Sequence, residues 1–138
     1  MFEHCLYFNT AALARKLDKE WSRAFKSFGL TVPQAFMLRA VLERPGMLPR
    51  ELADEMVIAR PTVTRALDGL QAKGLILRRS LEYDGRELQV HPTELAIAMK
   101  EALNSAAVAV TARLKKVLGA GEFTETVVRV KGVRSALE

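Results

Sequence analysis

The 138-residue chain has room for one domain, and its 49% of hydrophobic residues argues against a disordered chain. A formal charge of +5 favours an acidic partner without specifying which. The lone cysteine, Cys5, excludes an internal disulfide framework, and two histidines, His4 and His91, offer no metal-ligand cluster, so neither metal nor cofactor is expected.

Met1-Phe2-Glu3-His4 lacks the basic and apolar regions of a signal peptide, and no run approaches the ~18 apolar residues of a membrane span. A cytoplasmic protein with no membrane partner is the expectation. Residues 1–28 open with HCLYF and continue as a helix whose stripe holds Leu6, Leu13, Leu17, Trp21, Phe25 and Phe28, stopped by Gly29. The stripe is wide and aromatic for so short a chain, so either its own core or a second subunit covers it.

Thr31-Val32-Pro33-Gln34 has the form of a capping box, with the Thr31 hydroxyl and the Gln34 carboxamide serving each other's backbone N–H. A helix follows to about Leu42, with Ala35, Leu38, Val41 and Leu42 inward, until Arg44-Pro45-Gly46 stops it. Met47-Leu48 is a short extended piece. Pro49 starts a third helix to about Met56, burying Leu52, Ala53 and Met56. Val57 to Arg60 turns into a fourth, Pro61 to Ala72. Its Val63, Ala66, Leu67 and Leu70 form one apolar face, opposite Thr62, Arg65, Asp68 and Gln71, with Thr64 at the side. Gly74 sits where a chain leaving a helix often needs positive φ. Two short helices joined by a tight turn make a helix-turn-helix.

Leu75 to Leu81 reads as a strand, Glu82-Tyr83-Asp84-Gly85 as a turn and Arg86 to His91 as the returning strand. A hairpin directly behind a helix-turn-helix is a wing, and its tip carries Arg79, Asp84 and Arg86. After Pro92-Thr93 a long helix runs from Glu94 to about Leu118, its seam formed by Ala96, Met99, Leu103, Ala106, Val110, Leu114 and Val117. Gly119-Ala120-Gly121 breaks it. The tail from Glu122 to Glu138 keeps Phe123, Val127, Val130 and Leu137 near helical spacing, though its valines and Gly132 lower helix propensity. The expected fold is therefore mainly α with a small β-hairpin wing: a winged helix-turn-helix over residues 30–92, flanked by long helices, in one domain spanning 1–138.

Several stretches together carry a family resemblance: Gly29-Leu30-Thr31-Val32-Pro33-Gln34, Arg50-Glu51-Leu52-Ala53, Thr62-Val63-Thr64-Arg65, Leu70 through Ile76, and Arg78 followed by Asp84-Gly85-Arg86. In these residues the chain resembles the MarR family of winged-helix transcriptional regulators over essentially its whole length. The resemblance implies a homodimer joined through dimerisation helices at 1–28 and 93–138, with two winged helices reading a near-palindromic operator in double-stranded DNA. The chain departs from the usual pattern at Pro92, Thr93 and Ala96, where a Leu-Thr pair and a glycine are common, and at Pro49, where a hydroxyl cap is common.

Thr62, Thr64 and Arg65 are the candidates for base and phosphate contact, the bland alternative being a solvated helix face. Arg86 is the candidate for the wing, oriented by Asp84. Strand neighbours face opposite sides, so Arg79 is the phosphate candidate and Arg78 the structural one. Arg60 and Arg50 are further candidates for backbone contact. Cys5 is either a redox sensor, as the lone cysteine near the first helix is in some members of the resembled family, or a buried structural thiol. Trp21, Phe25, Phe28 and Phe36 either line a cavity for a small aromatic or lipophilic effector or are core. The functional expectation is a repressor released by such a ligand or by an oxidant. The alternative is a winged helix used for protein–protein assembly without DNA readout. An enzyme is not expected, since Cys5 has no resolving partner.

Overall fold

The structure, a computed structural model, describes residues 1–81 and 84–138, with side chains for 1–80 and 88–138. Along these residues run α1 (Leu6–Lys26), α2 (Val32–Glu43), α3 (Pro49–Met56), α4 (Arg60–Ala72), β1 (Ile76–Leu81), β2 (Asp84–Pro92), α5 (Glu94–Leu118) and α6 (Ala120–Ala136).

The helix starts follow from local chemistry. Thr31 Oγ1 accepts from the Gln34 N–H at 3.3 Å, and Gln34 Oε1 accepts from the Thr31 N–H at 3.1 Å, which closes the capping box on α2. In α3, Pro49 occupies the first turn and Glu51 reaches back to accept from the Leu48 N–H at 3.0 Å, so the helix is capped without a hydroxyl. Thr93 accepts from the Ala96 N–H at 3.3 Å to cap α5, while its own hydroxyl donates to the Gly74 carbonyl at 2.7 Å. The unusual Pro92-Thr93 pair thus joins the base of the wing to the next helix.

α1 begins at Leu6, the first residue of its expected apolar stripe. Cys5 is its N-cap, and the Asn9 carboxamide holds the lead-in by donating to the Glu3 and Cys5 carbonyls, each at 2.9 Å. The break before α6 is shorter than the Gly-Ala-Gly sequence suggests. Gly119, at φ 86°, suffices to turn the chain, and Gly121 lies inside the helix. The returning strand begins at Asp84 rather than Arg86, because β1 and β2 pair regularly from Ile76↔Pro92 to Ser80↔Leu88 and then shift at Leu81↔Asp84. Glu82 and Tyr83 of the expected turn lie outside the described residues.

The core lies between α2, α3, α4, the hairpin base and the N-terminal half of α5. α2 runs through its centre and buries Ala35, Met37, Leu38, Val41 and Leu42. Met47 adds a rung beside the hairpin by bridging to Val90, whose N–H donates to the Met47 carbonyl at 2.9 Å. Where α1 meets α2, Trp21, Phe25 and Phe36 pack ring against ring with centroids 5.1–5.9 Å apart.

The outer helices are differently placed. In α1 only Phe25 is buried, whereas Leu6, Tyr7 and Leu13 are exposed, and α6 buries none of its residues. α5 has an 18-residue window of mean hydropathy 1.3, long and apolar enough to cross a membrane by length and composition. The unbroken-run criterion misses this because Lys100, Glu101, Asn104 and Ser105 interrupt an alanine-rich sequence. Its Ala96, Leu103 and Ala107 belong to the core, which is the ordinary place for such a helix.

Candidate nucleic-acid interface

Helix α4 separates its two faces as its periodicity requires. Val63, Ala66, Leu67 and Leu70 are buried; Pro61, Thr64, Arg65, Asp68 and Gln71 are exposed. Thr62 lies on the flank and is half-buried, so it stands off the crest on which Thr64 and Arg65 sit. The Thr64 hydroxyl donates back to the Arg60 carbonyl at 3.1 Å, which leaves its oxygen lone pairs available to an outside donor.

The start of α4 is built differently from the starts of α2, α3 and α5. Its N-cap is Ala59, without a side-chain cap, and its first turn holds no acidic residue. Instead it carries the exposed Arg60, with Arg65 one turn further on. Cations at the positive end of a helix dipole are unfavourable for the isolated chain, and the Arg60 N–H there has no side-chain cap, while Pro61 has no N–H and Thr62 donates to the Ala59 carbonyl at 3.0 Å. The arginines make sense against a phosphate backbone.

Two strand neighbours in the wing divide as alternation demands. Arg78 is turned inward, and its guanidinium donates to Asp68 Oδ1 at 2.9 Å; Arg79 is exposed. The side chains of Asp84 and Arg86 lie outside the described residues, though their backbone belongs to β2. Arg50 is exposed in the first turn of α3.

Away from this surface, Cys5 is exposed at the head of α1, which corrects the expectation of a buried thiol. The hydrophobic neighbours that suggested burial, Leu6 and Phe8, are themselves uncovered. Of the four aromatic candidates, Phe25 is fully buried, Phe28 and Phe36 pack against the core, and Trp21 lines an open groove of about 450 Å³. Arg39, Val108, Thr111 and Lys115 share that groove. Arg39 sits 5.4 Å over the Phe36 ring, donates from Nε to Asn104 Oδ1 at 3.0 Å, and has its pKa pulled below the ordinary arginine value by burial. Sequence reasoning passed over Arg39; the available signal was a charge one step from Leu38 on the inward side of α2. Among the described residues no group of acidic, His and Cys side chains could hold a metal ion.

Comparison with known proteins gives a consistent picture. A family model described as MarR family matches residues 28–87. YybA of Bacillus subtilis, described as an uncharacterized HTH-type transcriptional regulator, is 32% identical over 82 residues, covering 59% of this chain and 55% of YybA. The matched segment therefore spans little more than half of that relative. The organic hydroperoxide resistance transcriptional regulator of B. subtilis is 25% identical over 99 residues, covering 72% of this chain and 67% of that protein. Among solved structures, the S. aureus MepR–DNA complex superposes with a TM-score of 0.85 at 20% identity, covering 95% of this chain and 97% of MepR. At that identity the likeness concerns the fold.

Proposed function

We propose that the chain, whose residues 28–87 match the MarR family model, is a member of that family and a non-enzymatic, sequence-specific DNA-binding transcriptional regulator, acting in the cytoplasm as a homodimeric repressor. The observation that carries this reading is α4. It is held on the core by one face and presents Thr64 and Arg65 on the other, with an uncapped, arginine-bearing first turn. A helix of this diameter fits the major groove, where arginine pairs with guanine edges and hydroxyls with either base or phosphate. Thr62 on its flank and Arg60 at its start would contact the adjacent backbone. Arg79, and Arg86 with Asp84, would serve the wing.

Two uncovered surfaces support the dimer. α6 leaves Val127, Val128, Val130 and Val133 exposed, and α1 leaves Leu6 and Leu13 exposed. Apolar area of this extent on terminal helices is what an obligate interface covers. Two copies would present two recognition helices to a near-palindromic operator.

The groove beside Trp21 supports release by a small effector. An aromatic wall with Arg39 and Lys115 at hand suits a small aromatic molecule bearing an anionic group. An oxidant would act through Cys5, exposed at the head of α1. The relative described as an organic hydroperoxide resistance regulator supports that second route.

The test is a mobility-shift titration with the DNA upstream of the protein's own gene. The reading requires a shift that resists non-specific competitor and weakens with salt as counterions are released. An assembly module without DNA readout would give no such shift.

A further inference from the structure

Resting on the DNA-reading assignment above, we propose that Lys73 is a positioning residue that fixes the tilt of α4 against the α1–α2 corner and thereby sets the half-site spacing the dimer accepts. Lys73 is the C-cap of α4. Its ammonium group donates to the Gly29 carbonyl, in the turn between α1 and α2, and to Gln34 Oε1 at 2.7 Å. Gln34 is itself immobilised, because the same Oε1 accepts from the Thr31 N–H and its own N–H donates to Thr31 Oγ1.

One turn back along α4, Gly69 supplies a second point of close contact. A Cβ there would fall 2.3 Å from Gln34 Nε2, so the carboxamide lies directly on the helix only because the residue is glycine. Two contacts a helical turn apart define an angle, where one would leave a pivot. Gln34 therefore serves both the cap of α2 and the seat of α4.

The lever arm makes this consequential. A helix of 13 residues is ~20 Å long at 1.5 Å per residue. A rotation of ~10° about its C-terminal end would move its first turn by ~3 Å, about the rise of one base pair. The dimer-forming helix α1 ends at this same corner, so the tie relates the reading helix to the element that sets the distance between the two copies.

The test uses the full-length protein. Spin labels are placed at Lys19→Cys on α1 and Thr64→Cys on α4 in a Cys5→Ser background, with the doubly labelled chain diluted into unlabelled chain. A separate series measures affinity for paired half-sites whose separation is stepped by one base pair. We expect Lys73→Met to broaden the label–label distance distribution, to flatten the spacing profile by several-fold in affinity ratio, and to leave the helical circular dichroism unchanged. Lys73→Arg, which keeps both donors, should restore a narrow distribution and a sharp optimum. An unchanged distance distribution in Lys73→Met overturns the proposal, as does a uniform loss of affinity at every spacing. If the wild-type protein itself gives no competitor-resistant shift, the DNA-reading function fails, and with it the spacing role. The DNA-free distances then report separately whether Lys73 sets the tilt of α4.

Discussion

The Arg78 guanidinium donates to the Asp68 carboxylate across 2.9 Å, so the first strand of the wing is tied to α4. The Arg78 side chain is only 22% exposed, and its Nε is buried without a partner among the described residues. The carboxylate is therefore the acceptor that compensates a half-buried cation. Asp68→Ala should destabilise the fold by about 1–2 kcal/mol, because it leaves that cation without its acceptor. Asp68→Asn, which keeps an acceptor oxygen, should lose less than half as much. Urea unfolding of the three proteins measures the difference.

The cap on α2 gives a simpler expectation. Thr31→Ala removes the hydroxyl that accepts from the Gln34 N–H and should cost about 1 kcal/mol. The urea midpoint should fall with its slope unchanged, since the surface exposed on unfolding is the same.

Val57 is the opposite case. It closes α3 in the left-handed region at φ 54°, ψ 49°, a conformation a β-branched residue adopts at a cost, and its side chain is 52% exposed. Val57→Gly relieves that strain while loosening the unfolded chain, and should stabilise the protein by about 0.5–1 kcal/mol. A rise in thermal midpoint is the expected observation.

The uncovered valines of α6 lead to a prediction about assembly. Val130 is 52% exposed in the single chain, and in a homodimer joined through α1, α5 and α6 it would be covered. Val130→Glu should place a charge in that interface and shift sedimentation from dimer toward monomer. The wild-type melting temperature should rise with protein concentration, as it must when folding and association are linked.

Much of this architecture was legible because its signals are local. The Thr31–Gln34 box, Pro49 and Pro61 at helix starts, and Gly74 at φ 71° each act through residues a few positions apart. The inward residues of α4 follow from its period alone. What could not be read depends on how elements pack. The sequence places Lys73 on a helix end, but not within reach of Gln34, 39 positions away. It shows an aromatic stripe on α1, but not that Phe25 is covered and Leu13 is not. The exposure of Cys5 likewise follows from where α1 sits, not from its apolar neighbours. The end of α5 at Leu118 was legible, but α6 starts two residues earlier than expected for a local reason: a single glycine at positive φ, Gly119, is enough to turn the chain.

The most direct measurement of the account is the affinity of Arg65→Ala for DNA from the protein's own upstream region, titrated at several salt concentrations beside the wild type. Arg65 is exposed on the crest of α4 and has no ion pair with any described residue, so its removal should leave the melting temperature essentially unchanged. If it reads a base edge or phosphate from the groove, affinity should fall roughly 5- to 150-fold, corresponding to about 1–3 kcal/mol. Loss of a phosphate contact should also lower the salt slope by about one. Equal affinity of the two proteins at every salt concentration would contradict the assignment of α4 as the DNA-reading helix.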